Sequence, residues 1–117
     1  MHRVTMTHGL FITGIAVALV AGVPRMARAQ DATHGAQVYA AQKCSVCHAI
    51  AGKGGKSSPL DGVGAKLSAA DIREWIVEPV VMAKKSNSTK KPAMPKKFDK
   101  LPEADIDGLV AYMQSLK

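Results

Sequence analysis

The sequence predicts a small all-α domain behind an N-terminal export signal. Apolar residues recur at helical spacing near both ends of the region after residue 30, and no stretch alternates convincingly as a β-strand would. The chain's only two cysteines lie between the predicted helical segments. These observations favour three main helices and connecting loops arranged around a group bound at the cysteines.

The first 29 residues have the pattern of a secretory signal peptide. His2 and Arg3 form a short basic start, residues 9–23 are apolar, and an A-x-A triplet ends at Ala29. The alternative is a retained membrane anchor, but the apolar run is shorter than the ~20 residues that a spanning helix needs. We therefore expect cleavage after Ala29, a mature domain over residues 30–117 in the periplasm, and no membrane span in that domain.

Composition limits what the mature domain can do. It has thirteen Lys and Arg against nine Asp and Glu, a formal net charge of +4. Chains this short bury only ~60% of their unfolded surface, so they usually need a metal, a disulfide or a cofactor. Nucleic-acid platforms interleave aromatic residues with basic charge, and the mature part has only four aromatics. The sequence thus argues against nucleic-acid binding.

Two helices are predicted in the first half of the domain. Residues 33–42 form a mainly apolar short helix that leads into the cysteine pair. A second helix begins with Ser68 and Asp71 in the pattern of a capping box and should end just before Pro79. Residues 51–64 are rich in Gly, Ser and Pro and predict a loop.

A third helix is predicted at the C-terminus. Pro102 is predicted to occupy the first helical position, and the residues beyond it carry an apolar stripe. The stripe consists of Ile106, Leu109, Val110, Met113 and Leu116. Residues 80–101 are predicted to be a long irregular stretch that carries seven lysines, six of them within residues 84–97.

The segment CSVCH, residues 44–48, contains both cysteines and a histidine. Zinc needs four ligands, and the mature chain adds only His34 to these three. A redox dithiol expects a βαβ setting, and a disulfide here would close too small a loop to stabilise much. The remaining interpretation is that C-x-x-C-H marks the covalent attachment of one c-type haem.

The spacing of these residues suits that chemistry. In a helical turn Cys44 and Cys47 lie on nearly the same face, so two thioethers can hold one edge of a porphyrin. His48 follows directly and can offer its imidazole to the iron. The haem would also supply the apolar core that a chain of this length lacks.

Five further elements accompany CSVCH in a fixed order. They are Gly35 with Tyr39, the G-V-G-x-x-L segment at residues 62–67, the W-I-x-x-P segment at residues 75–79, Met94 with Pro95, and Leu109 with Tyr112. In these elements the sequence resembles the class I cytochromes c over nearly all of the mature chain. The resemblance implies a cytochrome c fold wrapped around one covalent haem, with the first and last helices crossing closely at Gly35.

The resemblance also implies the second axial ligand. In the family the residue in the place of Met94 binds the iron through its thioether sulfur, opposite the histidine that corresponds to His48. Met94 lies in a loop between Pro92 and Pro95, an unusual place for a core methionine. Met82 remains a fallback ligand. A saturated iron would pass electrons without binding substrate, so the protein is expected to be an electron carrier and not an enzyme.

The segment expected to orient the axial histidine departs from the family pattern. The family's G-P-x-L segment supplies a carbonyl that accepts the N–H of the axial histidine, and here the segment reads SSPL, ending at Leu60. The acceptor can be the carbonyl of Ser58 or that of Pro59. Trp75 resembles the family residue whose indole N–H donates to a haem propionate, or it is a core aromatic.

The lysines of residues 84–97 suggest the kind of partner. We expect them to steer redox proteins with acidic docking surfaces, such as a dehydrogenase or a terminal oxidase, or else simply to keep a loop solvated. The chain is expected to be a monomeric carrier. Its closest rival is the haem subunit of a larger dehydrogenase or oxidase complex, and a peroxidase or gas sensor would require an open iron position.

Overall fold

The computed structural model describes the backbone of residues 24–117 and the side chains of residues 31–117. The predicted signal segment therefore lies mostly outside the described residues. The elements, in chain order, are α1 (Pro24–Ala41), a 3₁₀ turn (Cys44–Val46), β1 (Ala49–Ile50), β2 (Lys53–Gly54), α2 (Val63–Lys66), α3 (Ala69–Val77), α4 (Pro79–Lys85), a second 3₁₀ turn (Phe98–Lys100) and α5 (Glu103–Ser115). The predominantly helical architecture predicted from the sequence is confirmed.

Helix α1 is longer than the helix predicted over residues 33–42. It ends at Ala41, close to the predicted end, but it begins at Pro24 and runs through the predicted cleavage point after Ala29. Among the helices that the structure describes, none combines the length and the hydropathy needed to cross a bilayer.

Residues 51–64, predicted as loop, include one strand of a minimal antiparallel hairpin. Ala49 pairs with Gly54 and Ile50 with Lys53, so each strand is only two residues long. The turn between them places Ala51 at φ 51° and Gly52 at φ 75°, which is the left-handed pair that a tight type I′ hairpin requires. Two-residue strands are too short to give an alternating pattern, which is why the sequence shows no strand.

The capping prediction for α3 is confirmed. Ser68 is the N-cap, and its hydroxyl oxygen accepts a hydrogen bond from the backbone N–H of Asp71 at 3.1 Å. The same hydroxyl donates to the Asp71 carboxylate at 2.8 Å, so the two side chains meet directly at the helix start. Helix α3 ends at Val77, just before Pro79, as predicted.

The prediction that residues 80–101 are irregular is wrong at both ends. Pro79 ends α3 and also occupies the first turn of α4, where its missing N–H costs no hydrogen bond and its fixed φ is already helical. The sequence analysis treated this proline only as a helix stop. A 3₁₀ turn at Phe98–Lys100 shortens the irregular part from the other side.

The close crossing of the first and last helices at Gly35 is confirmed. A Cβ on Gly35 would lie 1.8 Å from the carbonyl oxygen of Gly108 and 2.8 Å from the Cβ of Tyr112. The rings of Tyr39 and Tyr112 pack edge to face beside the crossing, with centroids 5.6 Å apart. The domain therefore closes around the contact between α1 and α5. The sequence analysis did not single out Gly108, the second glycine of this contact.

Helix α2 docks on the end of α5. The N–H of Gly64 donates to the carbonyl of Leu116 at 2.8 Å, and a Cβ on Gly64 would lie 2.3 Å from the Gln114 carbonyl oxygen. The buried core joins α1 and α5 to α3 and to the second 3₁₀ turn. Its members are Val38, Tyr39, Ile72, Ile76, Phe98, Ile106, Leu109 and Met113.

Candidate functional site

The cysteine pair lies on a tight turn directly after α1. The N–H groups of Cys47 and His48 both donate to the carbonyl of Cys44, at 3.2 and 3.0 Å. Both cysteines are half-buried and neither forms a disulfide. Burial raises the pKa of the Cys44 thiol. The turn thus presents two separate thiols and one imidazole from five consecutive residues.

The β1–β2 hairpin and the residue after it pack against this turn. Gly54 and Gly55 permit the close approach because they have no side chain. The N–H of Gly55 donates to the carbonyl of Ser45 at 2.8 Å. A Cβ on Gly55 would lie 2.3 Å from the carbonyl oxygen of Val46, and one on Gly54 would lie 2.3 Å from that of His48. Sequence reasoning treated these glycines only as loop formers, and the adjacent pair was the one signal of close backbone approach.

Two hydrogen bonds fix His48. Its ring Nδ1 lies 2.8 Å from the carbonyl oxygen of Ser58, and its own backbone carbonyl accepts from the hydroxyl of Tyr39 at 3.0 Å. A carbonyl can only accept, so Nδ1 carries the proton and Nε2 keeps a free lone pair for a metal. Of the two carbonyls considered from the sequence, that of Ser58 and not that of Pro59 accepts the hydrogen bond from the His48 ring. Burial, followed by the neighbouring Cys44 and Tyr112, raises the pKa of Tyr39 to about 12.

A cavity of about 1340 Å³ opens beside the turn that carries Cys44 and Cys47, which we call the attachment turn. It is larger than the ~300–1,000 Å³ typical of small-molecule pockets. Its lining is mainly apolar and includes every site residue predicted from the sequence. These residues are Cys44, Cys47, His48, Ser58, Pro59, Leu60, Trp75 and Met94.

The three methionines of the mature part occupy different environments. Met94 is half-buried, lines the cavity and packs against the core from its loop. Met113 also lines the cavity, but it is a core residue of α5, 7% exposed. Met82 is 6% exposed on α4 and does not line the cavity in the part of the chain described. Met94 is thus the loop methionine that reaches the cavity.

The donor set fits a covalent haem better than a bare metal ion. Within residues 31–117, no three His, Cys, Asp or Glu side chains are grouped to hold an ion. The cavity instead combines two thiols, one oriented imidazole and the thioether of the loop residue Met94 with apolar walls formed by residues such as Leu60, Ile72 and Ile76. This is the chemistry that a porphyrin and its iron require. Trp75 is half-buried in the wall, where its indole can face such a group.

A helical domain built on a C-x-x-C-H turn beside a large apolar cavity has the architecture of a small c-type haem protein. The family model "Cytochrome c" matches residues 32–117, nearly the whole described part, and the chain belongs to this family of haem electron carriers. No curated protein and no solved structure matched the chain significantly. The family implies haem c, and Cys44 and Cys47 are consistent with its attachment through C-x-x-C-H.

Proposed function

We propose that this chain is an exported carrier of single electrons, with one haem held by Cys44 and Cys47 and ligated by His48 and Met94. The observation that carries the proposal is that one cavity is lined by both cysteines, His48 and, from a loop, Met94. Membership of the cytochrome c family supports haem-based electron transfer. The ligand pair and the export are our own additions.

Each residue has a distinct task in this proposal. The thioethers of Cys44 and Cys47 would tether the haem, which supplies the redox-active iron. His48 is held by Ser58 as the tautomer whose Nε2 can bind metal. Met94 would fill the remaining axial position, and Met/His ligation raises the reduction potential. With both positions filled, the protein would transfer electrons without binding a substrate at the metal.

The surroundings of Cys44, Cys47 and His48 are tightly packed. Backbone contacts at Gly54 and Gly55 hold the attachment turn, and the Tyr39 hydroxyl holds the His48 carbonyl. A ligand that cannot shift keeps nearly the same geometry in both oxidation states. We infer that this packing limits the rearrangement that accompanies each electron transfer.

The opening of the cavity carries the charge expected to attract acidic partners. Five exposed lysines line it: Lys43, Lys84, Lys90, Lys91 and Lys97. In the described part of the chain none of the five forms an ion pair, whereas Lys85 and Lys96 are neutralised by Glu74 and Glu78. Exposed Val46 and Val80 lie in the same lining. We infer a transient docking face in which unpaired lysines steer an acidic redox partner.

Replacing methionines by leucine tests the ligand assignment. Leucine keeps nearly the same volume but removes the sulfur. Met94→Leu should keep the covalent haem, lose the sulfur-to-iron charge-transfer band, lower the potential and bind carbon monoxide when reduced. Met82→Leu is the matched control and should change none of these properties. A band lost in Met82→Leu and kept in Met94→Leu would assign the ligand to Met82.

Three measurements separate the alternatives. The N-terminal sequence of the purified haem protein should begin at Gln30, whereas a retained Met1 segment would support an anchor. A free carrier should leave an affinity column alone, and a subunit should leave it with a catalytic chain. Carbon monoxide binding to the reduced wild type at neutral pH would instead favour a peroxidase or a gas sensor.

A further inference from the structure

The segment that carries Met94 has few attachments of its own. We call residues 86–97, between α4 and the second 3₁₀ turn, the Met94 loop. Its start is tied to α4, since the N–H of Ser88 donates to the carbonyl of Ala83 at 2.8 Å. Among the hydrogen bonds found in the described residues, none joins residues 89–95 to another element. Met94 itself therefore relies on other contacts to stay in the cavity.

Besides Lys97, whose Nζ lies 5.1 Å from the centroid of the Phe98 ring, two contacts in the described residues hold the far part of this loop. One is the packing of Met94 against the core. The other is an ion pair in which the Nζ of Lys96 donates to the Oε1 of Glu78 at 2.9 Å. Lys96 follows Met94 by two residues, so the ion pair acts close to the methionine that faces the cavity.

Glu78 is a fixed anchor for this contact. It stands at the junction of α3 and α4, where its N–H donates to the carbonyl of Glu74 at 2.7 Å. Its own carbonyl accepts from the N–H of Met82 at 3.0 Å. Both helices therefore hold its backbone, and a loop bound to its carboxylate is bound to the rigid part of the domain.

We propose that Glu78 is a positioning residue that, through Lys96, restrains the Met94 loop and keeps Met94 in the cavity. Glu78 does not line the cavity in the described part of the chain, although its neighbour Pro79 does, so its effect is expected to act through the loop. The proposal deepens the function given above, because it rests on Met94 as the axial ligand. It also separates Lys96 from the five lysines of the docking face.

A neighbouring ion pair provides a matched control. Lys85 donates to Glu74 at 2.9 Å, the same distance, and both glutamates belong to the α3 segment or its end. This second pair links α3 to α4 and does not involve residues after Lys85. Glu74→Gln therefore removes an equal charge from a second exposed ion pair, in which Glu74 is 32% exposed against 41% for Glu78, without freeing the Met94 loop.

The test measures how readily added imidazole displaces the sulfur ligand from the oxidised protein. Glu78→Gln should raise the apparent affinity for imidazole about two- to fivefold, the range that exposed ion pairs support. Glu74→Gln should leave it at the wild-type value. Because surface pairs are screened by salt, the wild type should approach Glu78→Gln at ~1 M salt. The exchanged pair Glu78→Lys with Lys96→Glu should restore the lower affinity.

Amide hydrogen exchange gives a second readout that does not depend on the iron. Residues 93–97 should exchange faster in Glu78→Gln than in Glu74→Gln. Equal imidazole affinity and equal exchange in the two variants would overturn the proposal. Absence of the charge-transfer band in the wild type would instead overturn the ligation by Met94, while the exchange rates would still show whether Glu78 restrains the loop.

Discussion

Replacing Gly35 by alanine sets two physical effects of opposite sign against each other. Glycine inside a helix is about 1 kcal/mol less favourable than alanine, so propensity alone predicts that Gly35→Ala stabilises α1. The crossing with α5 predicts the reverse. The sign of the measured change therefore tests whether the helices meet where the structure places them.

The geometry sets the size of the cost. The new Cβ would lie 1.8 Å from the carbonyl oxygen of Gly108 and 2.8 Å from the Cβ of Tyr112. Carbon–oxygen contacts need about 3.3 Å, so the helices must separate by roughly 1.5 Å. The closest atom is backbone, and no rotamer change can relieve the clash. Overpacking typically costs ~1–3 kcal/mol, and we take the upper end because backbone must move.

The net expectation is a loss of about 2 kcal/mol, once the gain in propensity is subtracted from the cost of overpacking. In a domain of this size that lowers Tm by about 8–16 °C, measured by far-UV circular dichroism on the haem-loaded protein. Ala40→Gly, at an exposed position of α1, calibrates propensity and should lose about 1 kcal/mol.

Gly108→Ala should cost less than Gly35→Ala. The nearest atom to its new Cβ is the Cδ2 of the movable His34 side chain at 2.9 Å, and the backbone N of Gly35 is at 3.1 Å. An unchanged or raised Tm in Gly35→Ala would refute the close crossing. So would a Gly108→Ala variant that loses more stability than Gly35→Ala.

Two further predictions concern the helix cap and the docking face. Ser68→Ala removes the cap of α3 and should cost about 1 kcal/mol, whereas Ser68→Asp should keep most of the stability in the same melting experiment. Replacing Lys90 and Lys91 by Gln should slow oxidation by anionic ferricyanide and flatten its salt dependence, because both lysines line the opening. The same change at Lys53 in β2 and at Lys56 just after it, two exposed lysines outside the lining, should alter the rate less; equal effects would contradict the docking face.

Local features that depend on only a few adjacent residues were predicted correctly from the sequence. The Ser68 cap and the end of α3 before Pro79 follow from the hydrogen bonds and sterics of a few adjacent residues. Gly35 was placed at a helix crossing through the family resemblance, and the structure adds its distances to Gly108. All the site residues predicted from the sequence line the cavity. They could be predicted because the motifs that contain them follow the family's order along the chain.

Some features could not be predicted from the sequence, because one residue has two structural roles or because the feature depends on tertiary contacts. Pro79 ends one helix and begins another, and either role alone explains its presence. The acceptor for His48 depends on which of two adjacent carbonyls turns inward, a backbone choice that residue identity does not encode. The contacts of Gly54 and Gly55 with the cysteine turn likewise exist only in the folded chain.

The contact between α1 and α5 also sets when the domain can form. His34 and Asp105, hydrogen-bonded at 2.7 Å across this contact, are 71 residues apart in the chain. Contacts of such long range require the loop between them to close first, which slows folding relative to local pairing. A chain that ends before α5 leaves Val38 and Tyr39 without their main partners. Until its last thirteen-residue helix is available, α1 therefore lacks the surface against which it packs.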